Sequence, residues 1–490
     1  MTVHKPASAS TMCHHGALRH SIAAVAARTQ EDTMRRQSRR HFLGSSAAVG
    51  GVGLLAACAP GSDSGASDGG GSGPAASDVE TDPAAMGEIT LKVWDQEVRG
   101  AQNDAIESLV DAFEKAYPNI TVDRVKQSFD DLQQQSGLAL SGNDVPDVLQ
   151  VNNARGDMGE FVKAGQLTDL TGYAEAYGWE DRFPTSVLSK ARYSADGVTF
   201  GEGPLWGLPQ TGEVCGIYYS AKKLKALGAK PPTTWDEVYA LVEAAQEAGE
   251  LPIKLGNLEQ WPALHLFGPL QADFVTAETI VPLAMGNAGA DWTSEENLAA
   301  LTRLADWASS GALGDSPNGL AYDTAWAEYT EGSGVLLIGG SWLGPDMGAV
   351  MGEDLRFMAP PAGVDGTIAT TGGTGLPFAI PAKAANADAA AAYIDHLTSD
   401  TAMELIAEAG GMPVLRTAEL APASGVNKDI YEAFDAVSND GELLPYLDYA
   451  TPTFADTAGA ALQQVIGGES EPAAAAEELQ TDYGDFTAEG

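Results

Sequence analysis

Seven histidines and three cysteines are a small stock of nucleophiles, general bases and metal ligands for a chain of 490 residues. Five of the histidines (His4, His14, His15, His20, His41) precede residue 58, which leaves His265 and His396. Cys13 lies upstream, Cys58 stands at a junction, and Cys215 is alone. That inventory builds neither a disulfide framework nor a Cys/His zinc cluster. A Ser-His-Asp hydrolase has only two histidines to draw on, and no Gly-x-Ser-x-Gly elbow is present. Asp-rich stretches lack calcium-loop spacing, so neither a metal nor another cofactor is expected. Carboxylates are plentiful, 68 Asp+Glu against 27 Lys+Arg, which keeps a two-carboxylate glycosidase open. The net charge of −41 excludes a phosphate-tracking nucleic-acid binder. It predicts a surface kept apart by self-repulsion, that of a monomer.

Polar side chains suited to gripping a ligand fall at the ends of expected strands. Ile89, Leu91 and Val93 alternate with Thr90, Lys92 and Trp94, a strand whose end presents Gln96. Ile106, Leu109, Val110, Phe113 and Tyr117 follow at helical spacing, and Pro118 stops that helix. Ile120–Val122 starts a second strand. After a Gln-rich helix, Val145–Val151 makes a third, closed by Asn152, Asn153 and Arg155. This β-α-β-α-β order predicts an α/β fold with a parallel, doubly wound sheet, whose ligands sit at the carboxyl ends of the strands. Further on, Thr234-Trp235-Asp236-Glu237 reads as a capping box opening a helix to about Ala248. Val335–Ile338 reads as a short buried strand ending in Gly339-Gly340-Ser341-Trp342. Ala384–Ala409 reads as helix, with a break near Ser399-Asp400.

Residues 1–57 read as targeting sequence, with Met34 a candidate start. Ser38-Arg39-Arg40-His41-Phe42-Leu43 precedes a weakly apolar run that ends in Leu55-Ala56-Ala57-Cys58. The run is too short, and too rich in Gly and Ala, to span a bilayer. The pattern resembles a bacterial twin-arginine signal followed by a lipobox, which implies cleavage before Cys58 and a lipid on its sulfur. Residues 58–490 carry 20 Lys+Arg and 66 Asp+Glu. The Gly/Ser/Asp/Ala stretch that follows Cys58 reads as a flexible tether, 58–87, placing a globular body outside the cell membrane and anchored to it.

Taken in order, the motifs of the body resemble the extracellular sugar-binding lipoproteins of ABC importers, the maltose-binding-protein-like family. They are Ile89–Trp94; Phe113-Glu114-Lys115-Ala116-Tyr117-Pro118 with Ile120; Pro146-Asp147-Val148; and Gly207-Leu208-Pro209 leading to Ile217-Tyr218-Tyr219. Pro232–Glu237, Gly340-Ser341-Trp342, Gly372-Gly373 and the helical Leu462–Leu479 complete the set. The resemblance spans about 88–486. It implies a two-lobed, type II periplasmic-binding-protein-like fold with three interlobe crossings, near 209–214, 369–376 and 418–430, and a ligand cleft between the lobes. Lobe one is then 88–210 plus 376–420, and lobe two 211–370 plus 425–486. It further implies a substrate-binding protein that is not an enzyme, with a sugar ligand, an oligosaccharide by preference, and the transmembrane subunits of an ABC permease as partners.

A sugar offers hydroxyls at its edge and C–H faces above and below, so its site needs amides or carboxylates around aromatic rings. Trp342, delivered by a strand through two glycines, matches a position where the family stacks an aromatic. Trp261 follows Glu259-Gln260 in a loop and is a second platform. Trp206, Phe454 and Tyr449 are further aromatics, Trp94 suits either core or site, and Trp235 reads as structural. Gln96, Asn152, Asn153 and Arg155 are hydroxyl partners. Glu213 follows Pro209 by four residues, where the resemblance implies a sugar-contacting carboxylate. Asp131, or Asp130 beside it, contributes from a loop before a helix. Gly373, with Gly372 and Thr374, offers backbone N–H groups or a flexible crossing. Two alternatives remain: an exported two-carboxylate glycosidase, or the same fold holding a polyol or another solute.

Overall fold

The structure is a computed structural model that describes Gly71 and residues 73–489. Cys58 and the signal region lie outside the described residues. Three strands open the chain: β1 (Ile89–Asp95), β2 (Ile120–Lys126) and β3 (Val148–Gln150). Alternation in β1 buries Leu91, Val93 and Asp95 completely. β1 lies between β2 and β3, parallel to both. The intervening helices, Gly100–Ala116 and Phe129–Ser141, supply the crossovers that parallel pairing demands. Ile106, Leu109 and Phe113 of the first helix face the sheet, where Tyr393, Ile394 and Leu397 join them in one core.

The hairpin of β4 (Arg192–Tyr193) and β5 (Phe200–Leu205) precedes β6 (Gly212–Ser220), the central strand of a second sheet. β7 (Leu336–Gly340), β8 (Leu355–Met358) and β9 (Ala369–Thr374) all pair antiparallel with β6. β10 (Phe378–Ala379) returns to the first sheet, antiparallel to β3, and β11 (Glu442–Leu444) joins β9 in parallel. Helices cover the second sheet around Ile217, Phe267, Leu301, Leu336 and Leu462, a core separate from the first.

Local signals behave as the residues dictate. Thr234 caps the helix Trp235–Glu247 by accepting from the Glu237 N–H at 3.2 Å, while the Glu237 carboxylate turns to the Thr233 N–H at 2.7 Å. Trp235 is buried in that helix's first turn. The expected break falls at Ser399, which separates Ala387–Leu397 from Asp400–Glu408 and caps the second helix through Ala402 N–H at 3.3 Å.

The chain passes between the sheets three times, and the first two passages lie side by side. β6 and β9 pair through Gly212–Thr374, Glu213–Gly373 and Val214–Gly372. Gly375 N–H donates to Thr211 C=O at 2.9 Å. The third passage runs from Leu420, against the first core, to Val426, within a cluster of the second lobe. Just upstream of it, Gly212 N–H donates to Met412 C=O at 2.7 Å and Val414 N–H to Gln210 C=O at 3.1 Å. The first two crossings therefore form one hydrogen-bonded strap, and the chain leading to the third is laced to its edge. Gly372 is required within it, since a Cβ there would fall 2.6 Å from the Glu213 carbonyl oxygen.

One expectation is corrected. Residues 73–87, assigned to a flexible tether by composition, follow the surface of the first lobe. Asn119 Nδ2 donates to the carbonyls of Pro83 and Met86, both at 2.9 Å, and Glu80 N–H donates to Asp388 at 3.2 Å. Val79 and Met86 pack against the first core. Two apolar side chains and one well-placed amide hold a stretch whose average composition suggested none of this.

Candidate functional site

The loop after β1 is fixed from below by a buried ion pair. Asp95, with no exposed surface, accepts from Arg124 Nε at 2.6 Å and Nη2 at 2.7 Å, a bidentate match of two planar groups. The same guanidinium donates to the Glu97 carbonyl at 2.8 Å. Gln150, closing β3, accepts from Gln96 N–H at 2.8 Å and donates to the Glu97 carboxylate at 3.1 Å. Gln96, Glu97 and Arg99 are thereby aimed into a cavity between the lobes.

That cavity holds about 1010 Å³ of atom-free space, counting its open mouth. From the first lobe it is lined by those three residues, by Asn152 and Asn153 after β3, and by Phe129 and Gln133 at a helix start. The strap adds Thr211, Glu213, Thr374 and Leu376; the second lobe adds Trp261, His265, Trp342, Tyr446, Asp448 and Tyr449. Thr374 is buried, and its hydroxyl has no partner.

Trp342 owes its pose to a glycine. A Cβ on Gly340 would sit 2.0 Å from the indole, so the ring lies flat over bare backbone. Its Nε1 donates to Tyr322 Oη at 2.7 Å. Trp261 begins the helix Trp261–Phe274, directly after Gln260, whose φ of 69° is unusual for a residue with a side chain. Aromatic contacts run continuously through this wall: Trp261 to Tyr322 at 4.4 Å, His265 to Trp342 at 5.1 Å, and His265 to Tyr446 at 5.3 Å between ring centres.

The mouth is bridged. Arg99 of the first lobe pairs with Asp323 of the second at 3.2 Å, and Trp261 Nε1 donates to Asp130 at 3.2 Å. Deeper in, Tyr449 Oη donates to the Asn153 side chain at 2.7 Å. The lobes are thus closed on one another.

Burial dominates the electrostatics. It pushes the Glu213 carboxyl up to about 8, with Glu97 nearby adding to the effect, and Asp448 up to about 6. Glu97 is raised by the same cause. His265 is depressed to about 3 and is neutral at physiological pH. Among the described residues, no group of three or more His, Cys, Asp or Glu is placed to hold a metal.

Of the residues singled out from sequence, Trp342, Trp261, Glu213, Asn152, Asn153, Gln96 and Tyr449 line this cavity. Five lie off it. Trp206 is buried in the first lobe with its Nε1 on the Tyr193 carbonyl at 2.9 Å, and Phe454 stacks on Trp292 in the second core at 5.4 Å. Both sit where an element begins or ends, a position that core and cleft aromatics share. Arg155 turns its guanidinium to the carbonyls of Val198 and Met285, the latter at 2.7 Å, and caps the Phe486 ring. Asp131 is exposed and bonds to the N-cap Ser128, leaving Asp130 to face the mouth. Gly373 belongs to the strap, at a φ of 154°, and it is Thr374 that reaches the cavity. Glu97 and Arg99 were within reach of the strand-end rule that found Gln96. Tyr446 and Asp448 follow β11, a three-residue strand with no periodicity to announce it.

The profile of the bacterial extracellular solute-binding protein family matches residues 99–404. The multiple sugar-binding protein of Streptococcus mutans is 26% identical over 337 residues, 66% of this chain and 75% of that one. An uncharacterized ABC transporter extracellular-binding protein of Pyrococcus horikoshii is 22% identical over 74% of this chain and 79% of its own length. Among solved structures, a chitin oligosaccharide binding protein superposes with a TM-score of 0.70 at 20% identity, covering 81% of this chain and 99% of that one.

Proposed function

The chain belongs to the bacterial extracellular solute-binding proteins and has their two-lobed type II fold; from that premise we propose that it captures a sugar, an oligosaccharide by preference, and delivers it to the transmembrane subunits of an ABC permease. One observation carries the sugar assignment. Indole and phenol rings stand beside amides and carboxyls around a single cavity between hinged lobes, the combination a pyranose's faces and edge require. The name of the Streptococcus relative supports the same class of ligand.

A thermal-shift screen of the mature domain against mono- and oligosaccharides tests this, because a ligand that binds only the native state raises its melting temperature. Stabilisation by polyols or other solutes, with none by any sugar, overturns it. The relatives are binding proteins. Glu97 and Glu213 nevertheless share the cavity, so a two-carboxylate glycosidase is the second reading. New reducing ends after incubation with oligosaccharides would decide for it.

We place the protein outside the cell membrane as a monomer held by a lipid on Cys58. Among the described residues no helix is long and apolar enough to cross a membrane. Cys58→Ala should release the protein into the soluble fraction. An intact peptide running through Ala57-Cys58 in mature protein would refute the anchor.

A further inference from the structure

Resting on the sugar-binding reading, we propose that the cleft is built for an amino sugar, one that carries a protonated amine. Three carboxyl groups converge on the cavity from separate elements: Glu97 after β1, Glu213 on β6 and Asp448 after β11. Their protein partners are few. Glu213 receives one long hydrogen bond, from Tyr446 Oη at 3.3 Å, and Glu97 receives one from Gln150 at 3.1 Å. A carboxylate has about four acceptor sites, so most are left without a protein donor.

The cation inventory is shorter still. Arg99 is the one Lys or Arg among the lining residues, and it already pairs with Asp323 at the mouth; His265 is held neutral by burial. Arg124 is spent on Asp95, and Arg155 on backbone carbonyls. The groups near Glu213 are Glu97, Arg99, Tyr446 and Cys215; those near Asp448 are Asn152, Asp157, Cys215, Tyr446 and Tyr449; those near Glu97 are Gln150, Asp95, Arg99 and Arg124. Among these groups positive charge comes from Arg99 and, beside Glu97, from Arg124, whose guanidinium is held by Asp95. Burial raises the pKa of all three carboxyls.

A ligand ammonium supplies what is missing. It donates three hydrogen bonds to acceptors that lack donors, and its single positive charge is shared among the carboxyls it touches. The aromatic rings of Trp261, Trp342, Tyr446 and Phe129 line the same cavity, and π systems of this kind favour a cation. Thr374, buried and unpartnered at the cavity wall, provides a further polar contact for the sugar. The net charge of −41 concentrates cationic solutes around the molecule before they enter.

Calorimetry on the mature domain distinguishes the ligand classes. The probes are glucosamine, galactosamine and their β-1,4-linked dimers, each against its N-acetyl and its hydroxyl counterpart. In the matched set that binds, the amine should be at least about tenfold tighter, the order expected when a buried charge gains or loses its partner. Its affinity should rise with pH from about 5 to 7.5 as the cleft ionises. Glu213→Gln, folded by its melting curve, should erase the preference, and Glu97→Gln should reduce it. Equal or tighter binding of the N-acetyl or hydroxyl sugar overturns the proposal and leaves the sugar reading standing. Failure of every sugar removes both.

Discussion

Trp342 shows how one side chain can belong to core and site together. Its ring is half-buried, packs over Gly340, and donates to Tyr322, yet it also lines the cavity. Trp342→Ala should weaken ligand binding about 30-fold, equivalent to roughly 2 kcal/mol of stacking. It should also cost about 1–3 kcal/mol of stability, less than a wholly buried ring because part of the surface is already wet. Calorimetry paired with a melting curve checks both; unchanged affinity would return the ring to the core alone. Sequence gave its position through a strand and two glycines. The same logic misplaced Trp206 and Phe454, because an aromatic at an element's edge carries no mark of which way the neighbouring loop will turn it. Arg155 failed for a related reason: a guanidinium can be satisfied by backbone carbonyls, and these are invisible in a sequence.

At the scale of elements, strands that alternate or terminate in clear turn residues were legible, and with them the residues at their ends. β1, β3 and β7 brought Gln96, Asn152, Asn153 and Trp342 to the cavity. β11 was not legible, since three residues pairing with one neighbour need no pattern of their own, and Tyr446 and Asp448 were missed with it. The two contacts at the mouth, Arg99–Asp323 and Trp261–Asp130, join elements from opposite lobes and exist only in the closed arrangement. Exposed pairs of this kind contribute about 1 kcal/mol or less each. A double variant, Asp323→Asn with Asp130→Asn, should therefore shift the ligand-free protein toward the open form without unfolding it. Small-angle scattering should report a larger radius of gyration than for the parent chain, and saturating ligand should remove the difference. An identical radius in both ligand-free proteins would show that the mouth contacts do not hold closure.

For the whole molecule, the raised carboxyls set a direction for pH dependence. Glu213 moves from 4.5 to about 8, Asp157 from 3.8 to about 7 and Asp448 from 3.8 to about 6, each chiefly through burial. Between pH 4 and 8 the native state therefore holds protons that the unfolded chain has released. Stability from these groups is complete below about pH 4 and is lost as pH rises through 6 to 8. The ligand-free melting temperature should fall by a few degrees, on the order of 2–4 °C per kcal/mol lost, between pH 5.5 and 8.5. Glu213→Gln should flatten that slope. A melting temperature that climbs over this range would contradict the assignment of buried, protonated acids to the cleft.

The strap of paired crossings also sorts the cavity by lever arm. Thr211, Glu213 and Thr374 lie on the axis about which the lobes turn, so closure displaces them least. Arg99 and Trp261, at the far edge, travel furthest. An arriving ligand thus meets a finished surface at the axis and an unfinished one at the mouth. Capture and escape are governed by different residues: Glu213→Gln should slow association, whereas Asp323→Asn should chiefly speed dissociation and should speed capture only as far as it opens the ligand-free form. Stopped-flow tryptophan fluorescence resolves the two, and it follows that affinity and residence time in this molecule can be altered independently.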